Sequence, residues 1–124
     1  MARILVIDDE RDFQRLVMDM LEVEGYEVTG SPDGSAGLRL LETHPFDLVI
    51  TDIIMPNLDG LEVIEKIKSK YPQIKVIAIS GGGGMKIDDC LKLAASVGAN
   101  AVLPKPIERK EFVALVHEVL SERG

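Results

Sequence analysis

A chain of 124 residues with 46% hydrophobic and 28% charged side chains suits one globular domain, is short for two, and is neither disordered nor fibrous in composition. Its 14 basic against 21 acidic side chains, net −7, argue against direct nucleic-acid binding, and a single Cys excludes a disulfide framework or a multi-cysteine metal site. No apolar run approaches the ~18 residues of a membrane span and the first residues carry no cleavable signal, so a cytoplasmic protein without membrane contact is expected.

Two hydrophobic periods alternate along the chain. Ile4-Leu5-Val6-Ile7 is a short apolar run, the mark of a strand covered on both faces. Phe13, Leu16, Val17, Met20 and Leu21 follow the i, i+3, i+4 pattern of an amphipathic helix that Gly25 can end. Tyr26 to Ser31 reads as a strand, and Pro32-Asp33-Gly34 as a turn into a helix running to about Thr43, closed by Pro45. Phe46 to Thr51 is the third strand. Leu61, Ile64 and Ile67 mark a helix that stops before Pro72, and Ile74 to Ile79 is the fourth strand. Gly81 to Gly84 form a loop; Ile87, Leu91, Ala94 and Ala95 then line a helix that Gly98 ends. Ala99 to Leu103 is the fifth strand, and Phe112, Leu115, Val116, Val119 and Leu120 form the inner face of the last helix. Five strand–helix pairs with short connections imply an α/β fold, a parallel sheet with helices on both faces, filling residues 1–124 as one domain.

Polar residues gather at the strand ends. The first strand runs into Asp8-Asp9-Glu10, the third into Asp52, the fourth into Ser80 and the fifth into Lys105. In an open α/β sheet these C-terminal ends share one edge, where ligands bind. Charge is divided along the chain: residues 1–62 hold 14 acids and 4 bases, residues 63–124 hold 7 acids and 10 bases. Three carboxylates near one another repel; a pair ~4 Å apart costs about 4 kcal/mol at an effective dielectric near 20. Either some are protonated or a cation sits among them. Oxygen donors in a site that stays partly open suit magnesium. Asp52, at the end of a central strand and just before Ile53-Ile54-Met55-Pro56, is the best candidate for a carboxylate nucleophile toward phosphorus, with Lys105 and Ser80 answering phosphoryl charge.

Asp8-Asp9 after an apolar strand, Asp52-Ile-Ile-Met55-Pro56-x-Leu-Asp-Gly60, then Ser80 and Lys105-Pro106 make up a pattern in which the chain resembles the receiver domains of two-component response regulators over essentially its whole length. The resemblance implies a doubly wound, flavodoxin-like fold with strand order 2-1-3-4-5. It implies that Asp52 takes a phosphoryl group from a sensor histidine kinase or phosphotransfer protein. It implies that Asp8, Asp9, Asp52 and the Ile54 backbone carbonyl hold magnesium, that Ser80 and Lys105 contact the phosphoryl group, and that the Lys105–Pro106 peptide is cis. Two positions depart from the family pattern. Val102 stands where an aromatic residue is usual, and Gly81 to Gly84 follow Ser80 where an Ala and then varied side chains are usual, so the Gly run and the fourth helix are the expected route of output to a protein target.

Simpler readings apply to single residues. Glu10 or Asp33 alone reads as a helix cap, Cys90 as a half-buried helix residue, His44 and His117 as surface residues, and Met18, Met20 and Met55 as core filler. Asp8, Asp9, Asp52 and Lys105 together at one sheet edge answer to no capping rule. The rival functions are a small magnesium-dependent aspartyl-phosphate phosphatase of the haloacid-dehalogenase type, and a degenerate receiver used only for protein contact. The first wants Asp-x-Asp and a cap; the second does not require all five site positions to be filled, as they are here.

Overall fold

The computed structural model describes residues 2–53, 60–80 and 87–121. The strands are β1 (Arg3–Ile7), β2 (Glu27–Ser31), β3 (Leu48–Asp52), β4 (Lys75–Ser80) and β5 (Ala101–Pro104). The helices alternate with them: α1 (Arg11–Val23), α2 (Gly34–Thr43), α3 (Gly60–Lys70), α4 (Ile87–Ser96) and α5 (Arg109–Ser121). All pairings are parallel and the strand order is β2-β1-β3-β4-β5, as the family resemblance implies. The order reverses direction between β1 and β3, which places a crevice at their C-terminal ends.

The two faces of the sheet follow from the period of 2 in the strands. Leu5, Ile7, Val49, Val76 and Ala78 point to one side, where they pack with Leu41 of α2, Val63, Ile64 and Ile67 of α3 and Ala94 of α4. Ile4, Val6, Leu48, Ile50, Ile77 and Ile79 point to the other, against Val17 and Leu21 of α1 and Phe112, Val116 and Val119 of α5. Each large aliphatic side chain so buried contributes roughly 1.5–3 kcal/mol, which makes the central strands a rigid platform for whatever stands at their ends.

The ends of the strands differ from the sequence expectation for identifiable reasons. The third strand begins at Leu48 rather than Phe46, because the Asp47 carboxylate accepts the Arg3 N–H at 2.9 Å and takes the place of a regular rung. The fifth begins at Ala101 rather than Ala99, because Asn100 Oδ1 accepts the Val76 N–H at 2.8 Å. At the other end the ladder runs one residue further, so Asp52 and Ser80 belong to their strands. Two apolar positions are corrected as well. Leu16 is 47% exposed and Ala95 is exposed, both at the margin of their helices rather than on the inner face. His44 and His117 are exposed, as expected; His117 Nδ1 shares a hydrogen bond with the Tyr26 hydroxyl and so ties α5 to the start of β2. Met18 and Met20 pack at the edge of the α1–α5 core. Ile54, Met55, the Gly81 to Gly84 run and the side chains of Ile87, Cys90 and Leu91 lie outside the described residues. Among the described residues no helix is long and apolar enough to cross a membrane.

Candidate functional site

Four strand ends deliver the polar residues to one place. Asp8 follows β1 and is 3% exposed; its amide donates to the Ser31 carbonyl at 3.1 Å, and its Oδ1 accepts the Glu10 N–H at 2.8 Å. Asp52 closes β3 and is buried. Ser80 closes β4, fully buried, and its carbonyl accepts the Lys105 N–H at 2.7 Å, which anchors the segment after β5 to the end of β4. The Lys105–Pro106 peptide is cis, as the resemblance implies.

Gly60 sets the far wall. Its N–H donates to the Ile53 carbonyl at 2.7 Å, and a Cβ at this position would stand 2.1 Å from the Asp52 carbonyl oxygen and 2.5 Å from Ile53 Cα. Only a residue without a side chain lets the start of α3 lie this close to the end of β3.

Lys105 is the hub of the charges. Its Nζ lies 3.0 Å from Asp52 Oδ2, 3.1 Å from Glu10 Oε1 and 3.8 Å from Asp8 Oδ2, with the Phe13 ring centroid 4.2 Å away. Burial pulls the lysine pKa down, but hydrogen bonds to Asp52 and Glu10 outweigh it and hold the ammonium above its ordinary value. Asp8 moves the other way. Burial raises its carboxyl to about 6, against the opposing pull of the Glu10 N–H and Lys105, while the charges of Asp52 and Glu10 add to the rise.

Carboxylate oxygens of Asp8, Glu10 and Asp52 all lie within 4.8 Å of one another. This donor set is hard oxygen only, carries more negative charge than one ammonium offsets, and fits a small divalent cation such as magnesium. The Ser80 hydroxyl adds a second sign of a missing partner: among the described residues it is a buried side-chain oxygen with no hydrogen bond.

Asp8, Asp52 and Lys105 are thus brought together as their positions at strand ends predict. Asp9 is exposed and stands outside the carboxylate trio. Its neighbour Glu10, which reads as a cap in sequence, occupies the N-cap position of α1 without a side-chain capping bond and turns its carboxylate to Lys105 instead. The sign of this in the sequence is the run of three acids, where one suffices to cap. Val102 is half-buried against the core on the α2–α3–α4 side of the sheet.

Comparison with known proteins points the same way. Residues 4–117 match the response regulator receiver domain family. The chain is 30% identical over 120 residues to the response regulator receiver protein CpdR of Brucella abortus, covering 97% of this chain and 98% of that one. It is 33% identical over 120 residues to the transcriptional regulatory protein CpxR of Escherichia coli, covering 97% of this chain and 50% of CpxR. It spans about half the length, or less, of most of the curated relatives it matches. A response regulator receiver domain protein from Clostridium thermocellum superposes with a TM-score of 0.87 at 34% identity, covering 97% of this chain and 94% of that one. With the family match, the full-length relative and the superposed fold each covering most or nearly all of its length, the chain belongs to the response regulator receiver domain family.

Proposed function

We propose that the chain is a phosphorylation-controlled switch in which Asp52 accepts a phosphoryl group from a sensor histidine kinase or a histidine-containing phosphotransfer protein. One observation carries the reading: the Asp52 carboxylate is buried at the end of a central strand, 3.0 Å from Lys105 and within a trio of carboxylates. An oxygen of ionised Asp52 bonds to phosphorus as the P–N bond to the donor imidazole breaks, and the electron pair of that bond leaves with the ring nitrogen. The product is an acyl phosphate. Lys105 meets the charge on the transferring oxygens, and the Ser80 hydroxyl, now without a partner, donates a hydrogen bond to one of them.

Asp8, Asp9 and Asp52, the Ile54 carbonyl and, from its place in the trio, Glu10 are the residues proposed to hold magnesium. A bound magnesium ion supplies positive charge against the carboxylates and the phosphoryl oxygens. Asp9 reaches this site only if its exposed side chain turns inward on binding. In this reading residues 1–124 form one receiver domain acting in the cytoplasm, and output passes to a protein target through the region of α4, where Leu93 is 41% exposed.

The test is intact mass after incubation with a small phosphodonor. Wild-type protein with magnesium gains one phosphoryl group that hydroxylamine removes; chelation of the metal or Asp52→Asn abolishes the gain. Catalytic turnover of a phosphomonoester instead of a single stoichiometric gain overturns the reading in favour of a phosphatase.

A further inference from the structure

Glu10 and Phe13 stand one turn apart at the start of α1, and both meet the same nitrogen. Lys105 Nζ donates to Glu10 Oε1 at 3.1 Å and lies 4.2 Å from the Phe13 ring centroid. Asp52 Oδ2 takes a second N–H at 3.0 Å. The Lys105 side chain is only 15% exposed, Asp52 6% and Glu10 64%, so the ammonium is held between an inner carboxylate and an outer one. Glu10 makes no capping bond to its own helix, so this contact is what orders its carboxylate.

We propose that Glu10 is a positioning residue for Lys105: an outer anchor that holds the ammonium at the mouth of the pocket in the resting protein and competes for it once Asp52 carries a phosphoryl group. The proposal rests on the switch reading above. Phosphorylation moves negative charge from the Asp52 carboxylate outward onto the phosphoryl oxygens, and Lys105 must follow it. A lysine with one N–H committed to Glu10 is shared between the two. The same carboxylate lies within 4.8 Å of the oxygens of Asp8 and Asp52, so it also attracts any divalent cation held there. Glu10 therefore acts in opposite senses on the two partners of the site: it favours the metal and opposes the phosphoryl–lysine contact. A side chain that only supported the fold would, on removal, harm both.

Glu10→Gln keeps the shape and removes the charge. In the metal-free, unphosphorylated protein the Lys105 Cε–Hε resonances should shift in the variant; unchanged resonances overturn the anchor. Magnesium affinity measured by calorimetry should fall about tenfold, as expected for one unit charge near a divalent ion even in a water-like dielectric. Phosphoryl uptake from acetyl phosphate at saturating magnesium, followed by intact mass, should rise about two- to fivefold, the worth of a partly exposed ion pair. That gain should vanish when Lys105→Met is the background. Metal affinity and uptake falling together, or a gain that survives in Lys105→Met, overturns the proposal. If the wild-type protein takes up no phosphoryl group, the switch reading fails and the competition fails with it, while the Lys105 resonances still decide the anchoring contact.

Discussion

Replacing Asp8 by Asn tests whether the site stores destabilisation for the sake of charge. The carboxyl of Asp8 is raised from 3.8 to about 6, chiefly by burial. A folded-state pKa above the unfolded one means that the folded chain binds the proton more tightly, so ionising Asp8 weakens the fold. The penalty is absent below the unfolded pKa of 3.8, grows as pH rises toward about 6, and is constant above it. At ~1.4 kcal/mol per unit, a rise of this size corresponds to about 3 kcal/mol at its plateau. The plateau is already net of the attraction of Lys105 at 3.8 Å; Asn retains an oxygen to accept the Glu10 N–H, at 2.8 Å in the wild-type chain, but sets its amide NH2 toward the ammonium, which offsets part of the gain. The net gain for Asp8→Asn at pH 8 in chelator is then about 1–3 kcal/mol, or roughly 4–10 °C in Tm for a domain of this size. Thermal unfolding of both proteins across pH 4–8 reads it directly. The gap should be wide at pH 8 and close toward pH 4; magnesium should narrow it from the other side, by stabilising the wild-type protein more than the variant. A variant no more stable than wild type at pH 8, or a gap that does not change with pH, would show that ionised Asp8 carries no such penalty.

Ser80→Ala removes a buried hydroxyl that lacks a partner, so the resting protein should be as stable as wild type or about 1 kcal/mol more so in urea, while phosphoryl uptake slows. A loss of stability above about 1 kcal/mol would show that the hydroxyl is bonded at rest. Gly60→Ala drives a methyl into the backbone of Asp52 and Ile53, so that one of the two segments must shift, and should cost about 1–3 kcal/mol while displacing the acceptor carboxylate. Wild-type stability by urea titration would contradict the close approach.

Most of the architecture is legible in the sequence because both hydrophobic periods are clean. Runs such as Ile4 to Ile7 and Val76 to Ile79 divide their side chains between two helical layers, the burial on both faces that a continuous apolar run in a parallel sheet requires. The convergence of Asp8, Asp52 and Lys105 is legible for a related reason: parallel strands bring their C-terminal ends to one edge. What the sequence conceals depends on neighbours distant in the chain. Leu16 has the spacing of an inner residue, but how far burial reaches around α1 is set by where α5 and the segment at Pro106 lie against it. Asp47 and Asn100 end the ladders with side-chain acceptors that mimic backbone, which a hydrophobic pattern does not register. Glu10 looks like a cap because caps are acidic and local, whereas its actual partner is 95 residues away.

In the proposed switch Asp52, and no other carboxylate of the pocket, carries the phosphoryl group. Hydroxylamine converts an acyl phosphate to a hydroxamate at the same carbon, so peptide mapping of phosphorylated protein after hydroxylamine treatment marks the acceptor directly. A single hydroxamate should appear at Asp52 in magnesium-loaded wild-type protein and none in Asp52→Asn. A hydroxamate at Asp8, Asp9 or Glu10, or one retained in Asp52→Asn, contradicts it.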